Sequence, residues 1–261
     1  MIRAMRTAAS GMLAQQTQVD TIAHNIANVN TTGFKKNRVN FRSLLYTTLR
    51  EPGSQTGSGT INPTGLQIGS GTEVASSIKL FLQGELEQTG NPLDVGIQGD
   101  GFFRIALGNG EFRYTRDGSF RRDATGDLVT VDGYRVDPAI TIPQEASEIV
   151  IGQDGSVQVK VAGSDAFQSV GQLQLIRFAN PAGLKAEGGN FFSTTPSSGV
   201  ATPQNPGQSG AGFLRQSFLE RSNTAVVDEL ISLIQAQRNY EVNSRTIQVA
   251  DEMLQQLSNL I

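Results

Sequence analysis

Residues 226–261 read VVDELISLIQAQRNYEVNSRTIQVADEMLQQLSNLI, and apolar residues recur along this stretch at steps of three and four. That spacing places them on one side of an α-helix. Glu229 and Asn243 are the two polar residues on the same line. A stripe this long is typical of a coiled coil or a helix bundle, so it predicts a long C-terminal helix that needs a partner. The line comprises Val226, Leu233, Ala236, Tyr240, Ile247, Ala250, Leu254, Leu257 and Ile261.

The N-terminus carries a second stripe of the same kind. We predict a helix over residues 3–28 that is followed by a turn at Thr31-Thr32-Gly33, because glycine commonly ends a helix. Neither terminal helix has enough varied apolar surface to form a domain alone. Each is therefore expected to pack on the other and on further copies of the chain. The N-terminal stripe comprises Met5, Met12, Val19 and Ile26 at seven-residue spacing, with Ala8, Ala9, Ile22 and Val29 beside them.

Between the helices, residues 72–200 carry strand signals. Asp-Gly pairs at 100–101, 117–118, 132–133 and 154–155 separate apolar runs. Such a pair favours a two-residue hairpin, because both central residues of a type I′ turn need positive φ. No long helical pattern interrupts this region, which predicts an antiparallel sandwich or irregular barrel. We expect strands at 93–98, 102–107, 111–115, 127–131, 134–136, 147–151, 156–161 and 170–178.

Stretches rich in Pro, Gly and Ser at 51–71 and 195–212 flank the β region. The fold class is therefore α+β, in which paired terminal α-helices form a coiled-coil-like domain and an antiparallel all-β domain is inserted between them. The expected organisation is a helix and turn (1–42), an extended arm (43–71), a β-rich domain (72–200), a linker (201–221) and the C-terminal helix (222–261). Ser222, Asn223 and Thr224 are candidate caps for that helix.

The composition argues against an enzyme. The 261 residues contain no cysteine and a single histidine, His24, which excludes thiol catalysis, cysteine-ligated zinc and a two-histidine metal site. Residues 96–101 (GIQGDG) have the wrong glycine order for a dinucleotide site, and no βαβ pattern surrounds them. We expect no catalytic residue, no metal and no cofactor.

The charge balance of 21 basic against 24 acidic residues gives no general case for nucleic-acid binding. No apolar run approaches the roughly 18 residues that span a bilayer. No apolar stretch follows Arg3 and Arg6, so we expect no membrane insertion and no cleaved secretory signal. The first fifty residues are basic, which indicates either a solvated face or a contact with an acidic partner. Their charges are Arg3, Arg6, Lys35, Lys36, Arg38, Arg42 and Arg50 against Asp20.

Two functions of other classes stay open from the residues. Paired carboxylates such as Asp117 with Asp123 or Asp127 are what a β-rich peptidoglycan hydrolase would need. A free-standing adhesin or binding module is the other alternative, and its terminal helices would be ordered in the monomer. In an assembly subunit, by contrast, we expect those helices to become ordered on assembly.

Four sets of residues, in order along the chain, resemble the bacterial flagellar rod and hook family. Ala27–Lys35 (ANVNTTGFK), preceded by Ser10-Gly11-Met12, is similar to its N-terminal signature. Gln237–Arg245 (QRNYEVNSR), with Asp251 and Met253-Leu254, is similar to its other end. Asn91–Val95 with Gly99–Phe103, and Tyr114–Phe120 (YTRDGSF), are similar to its shared β domain.

The resemblance implies a helical polymer of many copies, in which the terminal helices line an inner tube and the β domain faces outward. The stretch 44–69 is most similar to the arm of the family's distal rod subunits; proximal rod or hook-type subunits are the alternative. Implied partners are proximal rod proteins, the hook protein, the P-ring and L-ring proteins and the flagellar type III export apparatus. The implied place is the basal body, from periplasm to outer membrane, reached without a cleaved signal peptide.

Under this resemblance, subunit contacts fall on the two stripes and on the turn between them. Gly33 is expected to let the backbone reverse, and Phe34 to anchor the turn in apolar surface. The candidate contact residues are Met5, Met12, Ile22, Ile26, Asn28, Asn30, Thr31, Gly33, Phe34, Leu233, Tyr240, Asn243, Ile247, Leu254 and Leu257.

Overall fold

The two ends of the chain form long α-helices because each is free of proline and rich in residues of high helix propensity. Helix α1 is Ile2–Ala27 and helix α2 is Val226–Ser258. The computed structural model describes residues 1–53, 64–162 and 166–258. Within those ranges both predicted helices are confirmed. Two residues named above lie outside the description: Ile261 and, for its side chain, Leu257.

Strands occupy most of the region between the helices. The first group is β1 (Asn37–Ser43), β2 (Tyr46–Arg50), β3 (Leu66–Gly69), β4 (Thr72–Lys79) and β5 (Leu86–Gln88). Next come β6 (Val95–Gln98), β7 (Phe103–Ala106), β8 (Phe112–Thr115), β9 (Arg121–Arg122), β10 (Leu128–Val129) and β11 (Arg135–Asp137).

The remaining strands follow in the second half. They are β12 (Ala146–Ile151), β13 (Ser156–Val161), β14 (Phe167–Gln172), β15 (Leu175–Arg177), β16 (Lys185–Gly188) and β17 (Phe191–Ser193). The last three are β18 (Thr202–Gln204), β19 (Phe213–Gln216) and β20 (Phe218–Glu220). A short 3₁₀ helix, Pro181–Gly183, precedes β16.

The strands pair antiparallel, as predicted. A seven-stranded sheet has the order β16-β17-β8-β7-β11-β10-β9, and a three-stranded sheet has the order β12-β13-β14. The pairs β15-β18, β19-β6 and β20-β5 complete this region. The single strand predicted at 170–178 is wrong in one respect. It is divided between β14 and β15 because β14 pairs with β13 and β15 pairs with β18.

Two of the four Asp-Gly pairs lie in hairpins. Those at 132–133 and 154–155 connect β10 to β11 and β12 to β13. In both, glycine has positive φ while the preceding aspartate does not, so the expected type I′ geometry, which needs both, is wrong. The pairs at 100–101 and 117–118 lie between strands that pair with other partners, so they are turns without a hairpin.

The described chain divides into two compact units. The helical unit contains Met1–Ala27, Asn37–Ile78 and Ala225–Ile261; the β-rich unit contains Asn28–Lys36 and Lys79–Thr224. These boundaries differ from those predicted, because residues 28–36 group with the β-rich unit rather than with α1. The arm groups with the helices, and its two ends form the ribbon β2-β3.

The β-rich unit contains the large buried side chains. Phe103 and Phe120 meet edge to face with ring centroids 5.0 Å apart. A second, smaller cluster consists of Phe102, Tyr114, Ile176, Phe178, Leu184 and Phe192. The main cluster includes Val95, Ile97, Ile105, Leu128, Val136, Ile140, Val157, Val159, Leu173, Leu175 and Leu214. This unit therefore has a core of its own.

Replacing Phe103 by alanine is expected to lower the free energy of unfolding by about 3–5 kcal/mol, because the ring is fully buried and its loss leaves a cavity. Phe112→Ala on the neighbouring strand β8 is the matched control, since that ring is 42% exposed. Urea unfolding followed by circular dichroism measures both. Equal losses from the two variants would contradict this description of the core.

Candidate assembly sites

Within the helical unit, α1 and α2 contact each other along their lengths. Asn25 Nδ2 donates to Glu229 Oε2 at 3.3 Å. At Gly11 an added Cβ would lie 2.9 Å from Asn243 Nδ2. Since higher residue numbers on α1 meet lower numbers on α2, the two helices run antiparallel. The absence of a side chain at Gly11 makes room for the Asn243 amide.

The surface between the helices is small and partly polar. On α2, the residues facing α1 recur every seven positions: Glu229, Ala236, Asn243 and Ala250, of which all but Asn243 are buried. On α1 the buried residues are Ala8, Ala14, Ile22 and Asn25. Among the described residues of this unit, Ile22 is the one large aliphatic side chain that is buried. The helix pair therefore has little core.

The predicted contact residues on the helices fall mostly on this inner side. Ile22 is buried, whereas Tyr240 remains 44% exposed. Nothing in these positions identifies a contact with another molecule, so their role in assembly stays a prediction. The half-buried ones are Met5, Met12, Ile26, Leu233, Asn243, Ile247 and Leu254.

A second apolar stripe on α2 was missed by the sequence reading. Counted together with Arg238 and Arg245, its members also step by threes and fours. At 3.6 residues per turn its first half, up to Ile234, lies opposite the line that faces α1. Its second half, from Val242 on, lies beside that line and borders a groove with Met1 and with Ala4 of α1. Arg238 and Arg245 are the two charged positions within it. We call this the outer stripe: Val227, Ile231, Ile234, Val242, Val249 and Met253, all exposed. The three-and-four spacing of these apolar residues is the sequence signal that indicates this stripe.

The turn after α1 is built by local hydrogen bonds within the β-rich unit. The Thr31 amide donates to the Asn28 carbonyl, and the Thr31 hydroxyl donates to Asn28 Oδ1, both at 3.2 Å. The Phe34 amide donates back to the Thr31 carbonyl at 3.3 Å. Asn28 and Thr31 are half-buried, and Asn30 is exposed.

Gly33 has positive φ (69°), as the predicted reversal requires. It also lies where a side chain cannot fit, since an added Cβ would be 2.8 Å from the Asp117 amide nitrogen. Its own amide donates to the Glu220 carbonyl at 2.7 Å. The turn therefore lies directly against the segment that precedes α2.

Phe34 is 6% exposed and lies within the β-rich unit of the same chain. The Lys79 ammonium lies 5.2 Å from the centre of its ring, a cation–π contact. Phe34 is thus buried within its own chain, and its role in assembly stays a prediction.

Next to Phe34 lies a buried ionic cluster that the sequence reading missed. Lys35 Nζ lies 2.6 Å from Glu220 Oε1, and Arg116 Nε lies 2.8 Å from Glu220 Oε2. The side chains of Lys35 and Glu220 are 0% exposed, and that of Arg116 is 5% exposed. We call these three residues the ionic trio. Lys35 was counted among surface charges, and its burial removes it from any solvated basic face.

The remaining hydrogen-bonding groups of the ionic trio are satisfied by backbone. Lys35 Nζ also donates to the Leu82 carbonyl at 2.7 Å, and the Gly84 amide donates to Glu220 Oε1 at 2.8 Å. Arg116 Nη1 donates to the carbonyls of Gly99 and Gly101, each at 2.9 Å. Several separate chain segments therefore meet at one carboxylate.

The electrostatic balance within the trio is uneven, because two cations share one anion. Burial, followed by repulsion from Arg116, lowers the pKa of Lys35 from 10.5 to about 8, against the attraction of Glu220. Burial acts to raise the pKa of Glu220, but its attraction to and hydrogen bonds with Arg116 and Lys35 outweigh this and lower it. The charged lysine is therefore held at a cost in stability.

Asn223 connects the same segments through a second set of bonds. Its Oδ1 accepts from the Lys36 amide at 2.8 Å, and its Nδ2 donates to the carbonyls of Leu80 (2.8 Å) and Leu82 (3.2 Å). The side chain is thus engaged here rather than in capping α2. We call the region where 33–36, 80–84 and 220–223 meet the crossing.

The carboxylates considered for hydrolysis are used in local bonds. Asp117 Oδ1 accepts from the Ser119 amide, and burial raises the pKa of Asp117. Asp127 accepts from the Thr141 hydroxyl and pairs with Arg135. Among the described residues no group of three or more acidic or histidine side chains is arranged to hold a metal. Searched over the same part of the chain, no helix is long and apolar enough to cross a membrane.

Comparison with known proteins places these features in context. Three family models match the chain: "Flagella basal body rod protein" over 5–35, "Flagellar hook protein FlgE/F/G D1 domain" over 96–159, and "Flagellar basal body rod FlgEFG protein C-terminal" over 215–260. Relatives called flagellar basal-body rod protein FlgG are 50% identical in Caulobacter vibrioides (99% of each chain) and 47% identical in Borreliella burgdorferi (100% of this chain, 99% of the relative). A third, in Agrobacterium fabrum, is 46% identical over 97% of each chain.

The lowered pKa of Lys35 predicts how stability changes with pH. Between about pH 8 and 10.5 the unfolded chain binds a proton at Lys35 that the folded chain has released, so the free energy of unfolding rises with pH in this window. The expected slope is up to about 1.4 kcal/mol per pH unit. The measured quantity is the difference in unfolding free energy between wild type and Lys35→Met at pH 7.5 and 9.5.

The control for this series is Lys185→Met, because the Lys185 side chain is 70% exposed. Its difference from wild type is expected to be nearly constant over the same range. A difference for Lys35→Met that falls as pH rises would mean that the buried ammonium stabilises the fold.

Proposed function

The chain belongs to the family of flagellar basal-body rod proteins, and we propose that it is the subunit that polymerises helically to form the distal rod. In this proposal it is a structural subunit of the flagellar basal body rather than an enzyme. The observation that supports polymerisation most directly is the outer stripe of α2, which leaves large aliphatic side chains in water.

The helical unit is underpacked for a stable domain. Each large aliphatic side chain that becomes fully buried contributes roughly 1.5–3 kcal/mol. The outer stripe exposes six apolar residues, whereas the inner side buries mainly alanines and two polar groups. Covering this stripe with a second copy would supply the missing apolar contacts, and repetition of such a contact generates a helical polymer.

We further propose that α1 and α2 pair as an antiparallel coiled coil in the polymer. The seven-residue repeat of Glu229, Ala236, Asn243 and Ala250 on the side facing α1 supports this pairing. Alanine and glycine at this seam allow the helices to approach closely. Thin, closely packed helix pairs suit the crowded wall of an inner tube.

The proposed neighbours follow from this role. Proximal rod proteins would lie below, the hook protein above, and the P-ring and L-ring proteins around the rod as it passes from periplasm to outer membrane. The subunit would arrive through the flagellar type III export apparatus, and the finished rod would transmit motor torque to the hook. No nucleic acid, cofactor or membrane insertion enters this proposal.

Two alternatives within the family are a proximal rod subunit and a hook-type subunit. Full-length identity to FlgG proteins favours the distal rod. Electron microscopy of the polymer distinguishes a distal rod subunit from a hook-type subunit, because a rod subunit forms straight tubes and a hook-type subunit forms curved ones. The peptidoglycan hydrolase is not supported, since its candidate carboxylates make local bonds in the β-rich unit.

A charge in the outer stripe should block polymerisation while leaving the monomer folded. Val242→Asp places a carboxylate at a residue that is 63% exposed, where it harms contact with a second copy but not the monomer. Asn239→Asp is the matched control, because it adds the same charge to an exposed position of α2 outside the stripe. Pelleting and electron microscopy measure polymer yield, for which at least a tenfold loss is expected in Val242→Asp only.

Limited proteolysis of the monomer tests whether the helices depend on assembly. Because residues 28–36 and 79–224 form the β-rich unit while residues 37–78 group with the helices, cleavage is expected in both helices and within 37–78, and a resistant fragment of about 79–224 should remain. Mass spectrometry gives its ends. Full protection of both helices in the monomer would instead favour a free-standing binding module.

A further inference from the structure

The ionic trio is the buried charged cluster that the proposed assembly does not use. Polar clusters of this kind are expensive to bury, and apolar replacements are often as stable or more stable. The excess cation makes this one more costly still, as the lowered pKa of Lys35 indicates. Packing of the core alone therefore does not explain its presence.

Its position along the chain supplies an explanation. Lys35 lies in the segment 28–36, which directly follows α1, and Glu220 ends β20, shortly before α2 begins. Arg116 comes from the loop after β8 and holds the other oxygen of the same carboxylate. The trio thus connects the two segments of the β-rich unit from which the terminal helices continue.

We propose that Lys35, Glu220 and Arg116 act as a latch that fastens the segment after α1 to the segment before α2, so that the C-terminal end of α1 and the N-terminal end of α2 each adjoin a preformed segment. The coupling to assembly rests on the proposed polymerisation; the latch itself is a property of the monomer. Starting a helix is its most unfavourable step, because several residues are fixed for one hydrogen bond. A preformed segment next to each helix lowers the free-energy cost of forming that helix when a neighbouring copy arrives.

Close backbone approaches at the crossing show how tightly the latched segments lie. An added Cβ at Gly84 would lie 2.0 Å from the Arg221 carbonyl oxygen. Further backbone bonds join the same segments: the Leu80 amide donates to the Lys36 carbonyl at 3.0 Å, and the Arg221 amide to the Glu85 carbonyl at 2.8 Å. These bonds do not involve trio side chains, so they can report on the latch from outside it.

Amide hydrogen exchange of the full-length monomer, kept dilute enough to prevent polymerisation, tests the latch. In Lys35→Met the amides of Gly33, Leu80 and Arg221 are expected to exchange at least tenfold faster than in wild type. Amides of β13 in the main core should change less than twofold. The Glu229 amide, which donates to the Ala225 carbonyl at the start of α2, should follow the crossing rather than the core.

Lys79→Met is the matched control, since this lysine lies over the Phe34 ring but makes no bond to Glu220. It is expected to leave the crossing amides within twofold of wild type. Glu220→Gln keeps the shape of the carboxylate and removes its charge, so it should accelerate the same amides at least as much as Lys35→Met. This second variant gives a reading if Lys35→Met folds poorly.

Two results would overturn the proposal. Equal acceleration of amide exchange at the crossing and in β13 would mean that the trio only adds to overall stability. Unchanged amide exchange at the crossing would mean that the trio does not hold these segments together. Both readings come from the monomer. They are therefore independent of whether Val242→Asp blocks the polymer, and failure of one proposal can be told from failure of the other.

Discussion

One carboxylate, that of Glu220, holds together the part of the molecule through which the chain passes from one unit to the other. It accepts from a lysine, an arginine and the Gly84 amide while fully buried. The chain changes units at 27/28, 36/37, 78/79 and 224/225. On the β-rich side of these junctions lie the three segments of the crossing. A buried carboxylate depends on the positions of its partners, because displacing either cation leaves part of its negative charge uncompensated. The trio therefore favours the arrangement in which both cations contact the carboxylate.

The two units obtain their stability in different ways. The β-rich unit buries a continuous set of aliphatic and aromatic side chains, so it has the means to fold by itself. The helical unit buries alanines, one isoleucine and a few polar groups, and leaves its larger side chains exposed. Local order without a core is marginal even for long helices. A chain built in this way can have one folded unit and, under the proposed polymerisation, gain most of its helical order on assembly.

The spacing of apolar residues and of glycines along the sequence predicts those features that depend on residues close together in the chain. The helices, most strands and the Gly33 reversal follow from residues close in sequence. The crossing does not, because Lys35, Arg116 and Glu220 are far apart along the chain and each resembles an ordinary surface charge. Sequence also gave no means to decide that Phe34 lies inside its own chain. Its neighbour Lys79 comes from the end of β4, and pairing between such distant segments is set by tertiary packing.

The outer stripe of α2 shows why a single periodic line was an incomplete reading. A helix with one partner needs one apolar side, so a single apolar line is enough to predict such a helix. A helix that packs on α1 and also on another copy needs two, which leaves little polar surface between them. Arg238 and Arg245 lie within the outer stripe. Their long aliphatic stems can cover apolar neighbours while the guanidinium groups stay in water. The stripe itself remains exposed in the free subunit, and under the proposed polymerisation a copy that covers it would have to accept these two cations.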